Sequence, residues 1–398
     1  MDKRTFSGSF TQQEAISEEA INAAVEVLRS GRLHRYNIAQ GEEGEVALLE
    51  REYAAWQGAD HCLATASGGQ AIQIALRACG VESGAKVLTN AFTLAPVPGA
   101  IAATGADAVL VEIDENLRLD LDDLDRKATQ SGARFLLLSH MRGHLCDMDR
   151  LMDITDSHGI QVIEDCAHTM GARWNGRRSG NFGRVGCFST QTYKHINSGE
   201  GGFLTTNDPQ LIARAIVLSG SYMLYERHGT APDPEHFAEI RYEMPNMSAR
   251  MDALRAAILR PQLRELNTNI DRWNARYEVV ANILRRNNAI AVPDRPEAEQ
   301  MVGSSIQFRV PMFDAKSCRQ LIEACKERGV ELKWFGSEEP VGFTSSHTSW
   351  RYMRARELPG TDTVLATLFD MRLPLTFSLE DCRLVAELIS EALSDTRN

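Results

Sequence analysis

The chain has 398 residues, beyond the roughly 250–300 at which one hydrophobic core stops growing, so two domains are expected. Its 43% hydrophobic and 24% charged content is that of an ordinary globular protein. Asp and Glu number 54 against 43 Lys and Arg, a net charge of -11 with no dense basic run, which argues against nucleic acid or an anionic membrane as the main partner.

At the N-terminus, "MDKRTFSGSFTQQEAISEEA" lacks the apolar core of a signal peptide, and no apolar run nears the ~20 residues of a membrane span. A cytoplasmic location is the expectation. The 8 cysteines contain no C-x-x-C pair, so neither a zinc site nor a disulfide framework is expected, and they read as small buried hydrophobes.

Residues 12–30 and 43–56 read as helices, the second with Val46, Leu48, Leu49, Tyr53 and Trp56 at apolar positions. From about residue 60 to 220, short β-type runs alternate with helical stretches. The runs are "HCLATA", "KVLTN", "DAVLVEI", "RFLLLSH", "IQVIED", "GCFST" and "GGFLTT"; amphipathic segments such as "GQAIQIALRACG" and "MDRLMDITDSHG" lie between them. This alternation predicts an α/β fold with a largely parallel sheet between helices. Ligands in such folds sit beyond the carboxyl ends of the strands. Helix periodicity follows from "SARMDAL" to "NILRR", interrupted by Pro261, and Pro293 and Pro296 mark a boundary. The remainder, with strand "SSIQFRVPM" and helices "SCRQLIEACKERG" and "LEDCRLVAELISEAL", suits a smaller α+β domain. The expected division is a large domain over 1–260, N-terminal helices included, and a linking helix with a small domain over 261–398.

Three positions after predicted strands draw attention. Asp165 ends "IQVIED", with His168 three residues on; alone, such an aspartate reads best as a turn or helix N-cap. Lys194 follows the next strand, in "STQTYKHINSGEGG", where an ordinary lysine would lie solvated on the surface. Together they suit pyridoxal 5′-phosphate: the amine condenses with the cofactor aldehyde and later moves the proton, while the carboxylate keeps the pyridine nitrogen protonated. The strand–turn–helix "ATASGGQAIQIAL" offers Ser67, Gly68 and Gly69 as a phosphate cup of helix-start amides, with Ser189 as an added hydroxyl. It lacks the glycine spacing of a dinucleotide site or a P-loop.

These elements, with "HMRGHLCDMDRL" and "RMDALRAAILRPQL", resemble the pyridoxal phosphate-dependent sugar aminotransferases of the DegT/StrS group over about residues 15–390. The resemblance implies an aspartate-aminotransferase-like fold and a homodimer with shared active sites. It also implies transfer of an amino group from an amino acid, glutamate or glutamine, to a keto sugar, keto cyclitol or related polyol. It makes Lys194 the Schiff-base lysine and Asp165 the pyridine partner, lines up Ser189 and Ser67-Gly68-Gly69 with the phosphate cup, and puts His168 in the place of a glutamine that contacts the ring hydroxyl.

The sequence departs from the family pattern at several points. Gly69 stands where a threonine is common, and Leu94 occupies the position of a ring-stacking aromatic, with Phe92 nearby. The cross-subunit asparagine aligns with either Asn246 or Ser248 in "PNMSARM". Arg142 replaces an aromatic; it is expected either as a surface ion pair or as a hand on a substrate anion. Trp334 and Arg372 are further substrate candidates in the C-terminal domain. Related dehydratases of deoxysugars carry histidine in place of the lysine, and a non-catalytic cofactor-binding or regulatory protein of the same fold would need neither Lys194 nor Asp165 reactive. A dinucleotide-dependent oxidoreductase suits the alternation but lacks the fingerprint.

Overall fold

Seven apolar runs form one sheet in the spatial order His61–Thr65, Gly202–Thr206, Val185–Ser189, Gln161–Asp165, Phe135–Ser139, Lys86–Asn90, Asp107–Val111. The computed structural model describes residues 4–39, 41–354 and 357–397. Neighbouring strands are parallel except at Gly202–Thr206, which runs antiparallel to both its neighbours. The exception has a local cause. Ser189 and Gly202 are joined by the loop 190–201, closed across its base by Thr190 N donating to Gly201 O, rather than by a crossover helix, so the chain returns antiparallel to the strand it left.

Helices cover both faces, so the strands Phe135–Ser139, Val185–Ser189 and Gly202–Thr206 are buried at every position. Alternate residues feed two separate cores. Leu136, Leu138, Phe188 and Phe203 pack with Tyr53 of helix Glu45–Gln57, whose ring stacks on Phe203 at 4.1 Å. Leu137, Ile163, Cys187 and Leu204 turn the other way, toward helices Gly68–Ala78 and Pro209–Ser219.

The first helix begins later than its pattern suggests, at Glu18–Ser30, because Ser17 takes the N-cap and its Oγ accepts from Ala20 N at 3.4 Å. The expected break at Pro261 does not occur. Ala253–Leu284 is one helix, capped by Asp252. Burial of Ala256, Ala257, Leu259, Leu263 and Leu266 on either side of Pro261 outweighs the ~3 kcal/mol that an internal proline costs.

The C-terminal part is a three-stranded antiparallel sheet, Ser305–Arg309, Leu368–Arg372 and Lys333–Trp334, covered by helices Ala315–Glu327 and Leu379–Arg397. Its core of Phe308, Phe369, Leu321 and Leu388 also takes in Phe6 and Phe10 from the N-terminal segment. Residue 260, the expected division, thus lies inside a continuous helix, and Phe6 and Phe10 pack on the C-terminal part of the chain. All eight cysteines are free and buried.

Candidate active site

Lys194 sits on the loop between Ser189 and Gly202, an excursion tied across its base. Thr190 N donates to Gly201 O at 2.9 Å, Ser198 N to Thr190 O at 2.9 Å and Thr192 N to Gly199 O at 3.1 Å. A Cβ on Gly201 would lie 2.2 Å from Thr190 Oγ1, so only glycine lets the two arms close this tightly. Gln262 on the long helix clasps the loop, accepting from Asn197 N and donating to Asn197 O, both at 2.9 Å. The amine therefore projects from a braced turn into a cavity that also holds Leu94, Arg142, His168, Tyr193 and Arg372.

Burial is the main reason the Lys194 amine is lowered from 10.5 to about 7, with Arg142, Arg372 and Lys333 adding repulsion against Asp165. It lies 2.7 Å from His168 Nε2. Burial, then the Lys194 charge, push the His168 imidazole well below its usual range, so the ring is neutral near pH 7. Asp165 ends the strand Gln161–Asp165; its Oδ2 accepts from Ser139 Oγ at 2.9 Å and its Oδ1 from Ala167 N at 3.1 Å. Thr93 Oγ1 in turn donates to Ser139 Oγ at 2.7 Å. Burial raises the Asp165 carboxyl despite these donors, and among the described residues no cation lies within ion-pair distance of it.

Ser67 caps the helix Gly68–Ala78, its Oγ accepting from Gln70 N at 3.2 Å. Gly68 lies against Ser189: a Cβ there would stand 2.8 Å from Ser189 Cβ. At Gly69 a Cβ would meet nothing closer than 3.9 Å, so this helix start keeps an open, amide-lined face. Leu94 faces the cavity, whereas Phe92 turns away and packs edge-on against Phe335 at 5.1 Å.

The remaining candidates divide. Arg142 is a buried ion pair with Asp370, at 2.7 Å, where a surface pair was one expectation; it and Arg372 line the cavity. Trp334, expected near substrate, is absent from the lining. Its Nε1 donates to Ala366 O at 2.8 Å and the ring packs against the C-terminal core. Asn246 and Ser248 are exposed and bonded to each other, Ser248 N donating to Asn246 Oδ1 at 2.9 Å.

A model of the DegT/DnrJ/EryC1/StrS aminotransferase family matches residues 14–390. The chain belongs to this family. It is 33% identical over 271 residues to the L-glutamine:2-deoxy-scyllo-inosose aminotransferase of Streptoalloteichus tenebrarius, covering 68% of this chain and 61% of the relative. It is 35% identical over 270 residues to the dTDP-3-amino-3,4,6-trideoxy-alpha-D-glucose transaminase of Streptomyces venezuelae, covering 67% and 65%. The matched stretch is thus under two thirds of either relative. Among solved structures, DesV of S. venezuelae superposes with a TM-score of 0.79 at 28% identity over 94% of each chain. A 3-amino-5-hydroxybenzoic acid synthase gives 0.81 at 25% identity, over 97% of this chain and 99% of the other.

The residues fit pyridoxal 5′-phosphate, the cofactor of the DegT/StrS family. Lys194 offers an amine lowered to about 7, Asp165 a buried carboxyl with no ion-pair partner among the described residues, and Ser67, Gly68, Gly69 and Ser189 an anion-ready helix start. Sequence reasoning missed Ser139, Tyr193 and Asp370. Ser139 ends the strand Phe135–Ser139, where the strand-end rule could have found it. Asp370 is two residues from Arg372 on one strand and so shares its face. Tyr193 had no signal beyond adjacency to Lys194.

Proposed function

We propose that the protein is a pyridoxal phosphate-dependent aminotransferase, moving an amino group from glutamine or glutamate to the keto group of a sugar, cyclitol or related polyol. The observation that carries this reading is the braced Lys194 amine, lowered to about 7, facing a cavity whose neighbouring strand ends in the cation-free carboxylate of Asp165. The relatives named for glutamine, inosose and nucleotide-sugar chemistry support the choice of donor and acceptor.

When bound, the cofactor supplies a carbonyl carbon that takes up the nitrogen and a ring that holds an electron pair. The side chains do the rest. Lys194 Nζ, poised near neutrality, takes a proton from the donor carbon and returns one to the acceptor carbon. His168, neutral and 2.7 Å away, steadies that nitrogen without a competing charge. Asp165, fixed by Ser139 and the Ala167 amide, keeps a negative charge ready for a protonated ring nitrogen. The Ser67–Gly69 turn and Ser189 would hold its phosphate.

The working unit in this reading is a cytoplasmic homodimer. Exposed Tyr222, Met223 and Tyr242 stand in the segment leading to Asn246 and Ser248 and suit burial against a second copy. Among the described residues no helix is long and apolar enough to cross a membrane. Borohydride treatment of the cofactor-loaded protein should fix a pyridoxyl group on Lys194, and the aminated form should revert spectrally with a member of a keto sugar and keto cyclitol panel. A label elsewhere, or none, would sink the reading.

A further inference from the structure

Two guanidinium groups enter the cavity of Lys194 from different parts of the fold. Arg142 comes from the turn Met141–Gly143, just beyond the strand Phe135–Ser139, and holds a left-handed backbone at φ 56°, ψ 21°. That conformation is uncommon for a residue other than glycine and costs of order 1 kcal/mol or more, so the surrounding structure maintains it. The side chain is buried, and its Nε has no hydrogen-bond partner among the described residues. Arg372 comes from the strand Leu368–Arg372, its guanidinium 3.7 Å from the centre of the Tyr193 ring.

The carboxylates nearby do not balance these charges. Asp370 is shared: Oδ2 lies 2.7 Å from Arg142 and 3.8 Å from Lys333, while Oδ1 accepts from Gln307 Nε2 at 2.8 Å. Gln307 is held in turn by His144, at 2.8 Å, so the aspartate is fixed in place. Arg372 pairs with no carboxylate among the described residues. Of the other acids lining the cavity, Glu14 is taken by Arg272, and Glu265 is exposed. Asp370 thus serves two cations and Arg372 has no carboxylate of its own, in a largely buried setting where an unpaired charge is costly.

We propose that Arg142 and Arg372 together form a subsite for a carboxylate on the substrate. A guanidinium presents paired donors that match a carboxylate, and stacking on Tyr193 preorganises Arg372 without consuming its charge. Because Lys194 lines the same cavity, that carboxylate belongs to the same small molecule as the carbon exchanging its nitrogen. It is carried either by the amino acid donor or by an acidic keto acceptor. The inference rests on the aminotransferase reading above.

The test uses the cofactor-loaded protein and glutarate, which has neither amine nor keto group and cannot turn over. Calorimetric titration should show binding to the wild type, weakened at least tenfold in Arg372→Ala and in Arg142→Lys, and partly recovered in Arg372→Lys. Arg142→Lys keeps a cation beside Asp370 and so spares the fold. Single-turnover spectra then separate the sources. Slowed amination by glutamate in the variants assigns the subsite to the donor. Normal amination with slowed return to an acidic keto acceptor, but not to a neutral keto cyclitol, assigns it to the acceptor. Undiminished glutarate binding in both arginine variants, or no binding to the wild type, overturns the proposal. Borohydride labelling of Lys194 in every sample shows separately whether the aminotransferase reading stands.

Discussion

Replacing Lys194 by methionine should make the cofactor-free protein more stable at neutral pH. The fall of the amine from 10.5 to about 7 corresponds to about 5 kcal/mol held against its charged form, at 1.36 kcal/mol per unit. The sign follows from the lowered folded-state value. Below about pH 7 the lysine is charged in both states and the full penalty weighs on the fold; between about 7 and 10.5 it shrinks, and above 10.5 it is gone. Methionine matches the stem and carries no charge, while the lost bond to His168 offsets about 1 kcal/mol. A net gain of a few kcal/mol is therefore expected at pH 7. Urea unfolding of wild type and Lys194→Met, both without cofactor, at pH 7, 8.5 and 10 reads it directly. A variant no more stable than wild type at pH 7, or a gain that stays constant up to pH 10, would refute the reasoning.

Asp165→Asn should retain cofactor binding but lose turnover by at least about a hundredfold, measured as kcat with saturating donor, since a neutral amide no longer holds a protonated ring nitrogen. Gly202→Ala should cost about 1–3 kcal/mol in chemical denaturation, because a Cβ there would stand 2.6 Å from Phe188 O and 2.7 Å from Gly68 N. Glu50→Gln should cost about 3–5 kcal/mol, since the buried carboxylate accepts from both Arg35 nitrogens, at 2.9 and 3.0 Å, and from Ala64 N at 2.8 Å. Arg35 and His228 overcome burial and hold the Glu50 carboxyl far below its usual range; the stability it confers is full at neutral pH and is lost progressively as pH falls below the ordinary carboxyl value of 4.5.

Much of the fold was legible because the strands are apolar runs of five residues buried on both faces, a pattern that little else produces. Asp165 and Lys194 could be singled out for a related reason: Asp165 ends such a run and Lys194 lies on the loop after another, at the carboxyl ends of the strands, where this topology places ligands. What failed was local. Pro261 looked like a break because proline removes a donor, yet packing along both flanks carries the helix through. Phe92 could not be aimed from alternation, since it lies just past its strand. Trp334 looked like a pocket aromatic by its neighbours in sequence, but its indole N–H reaches the carbonyl of Ala366 instead. Arg142 needed the one fact a linear reading lacks, that Asp370 comes back beside it from 228 positions away.

The 32-residue helix Ala253–Leu284 measures roughly 48 Å at 1.5 Å per residue, and contributes side chains to the cores of both parts of the chain. A continuous helix shared in this way puts no loop between the two cores along its length, so a substitution near its middle bears on the packing of both.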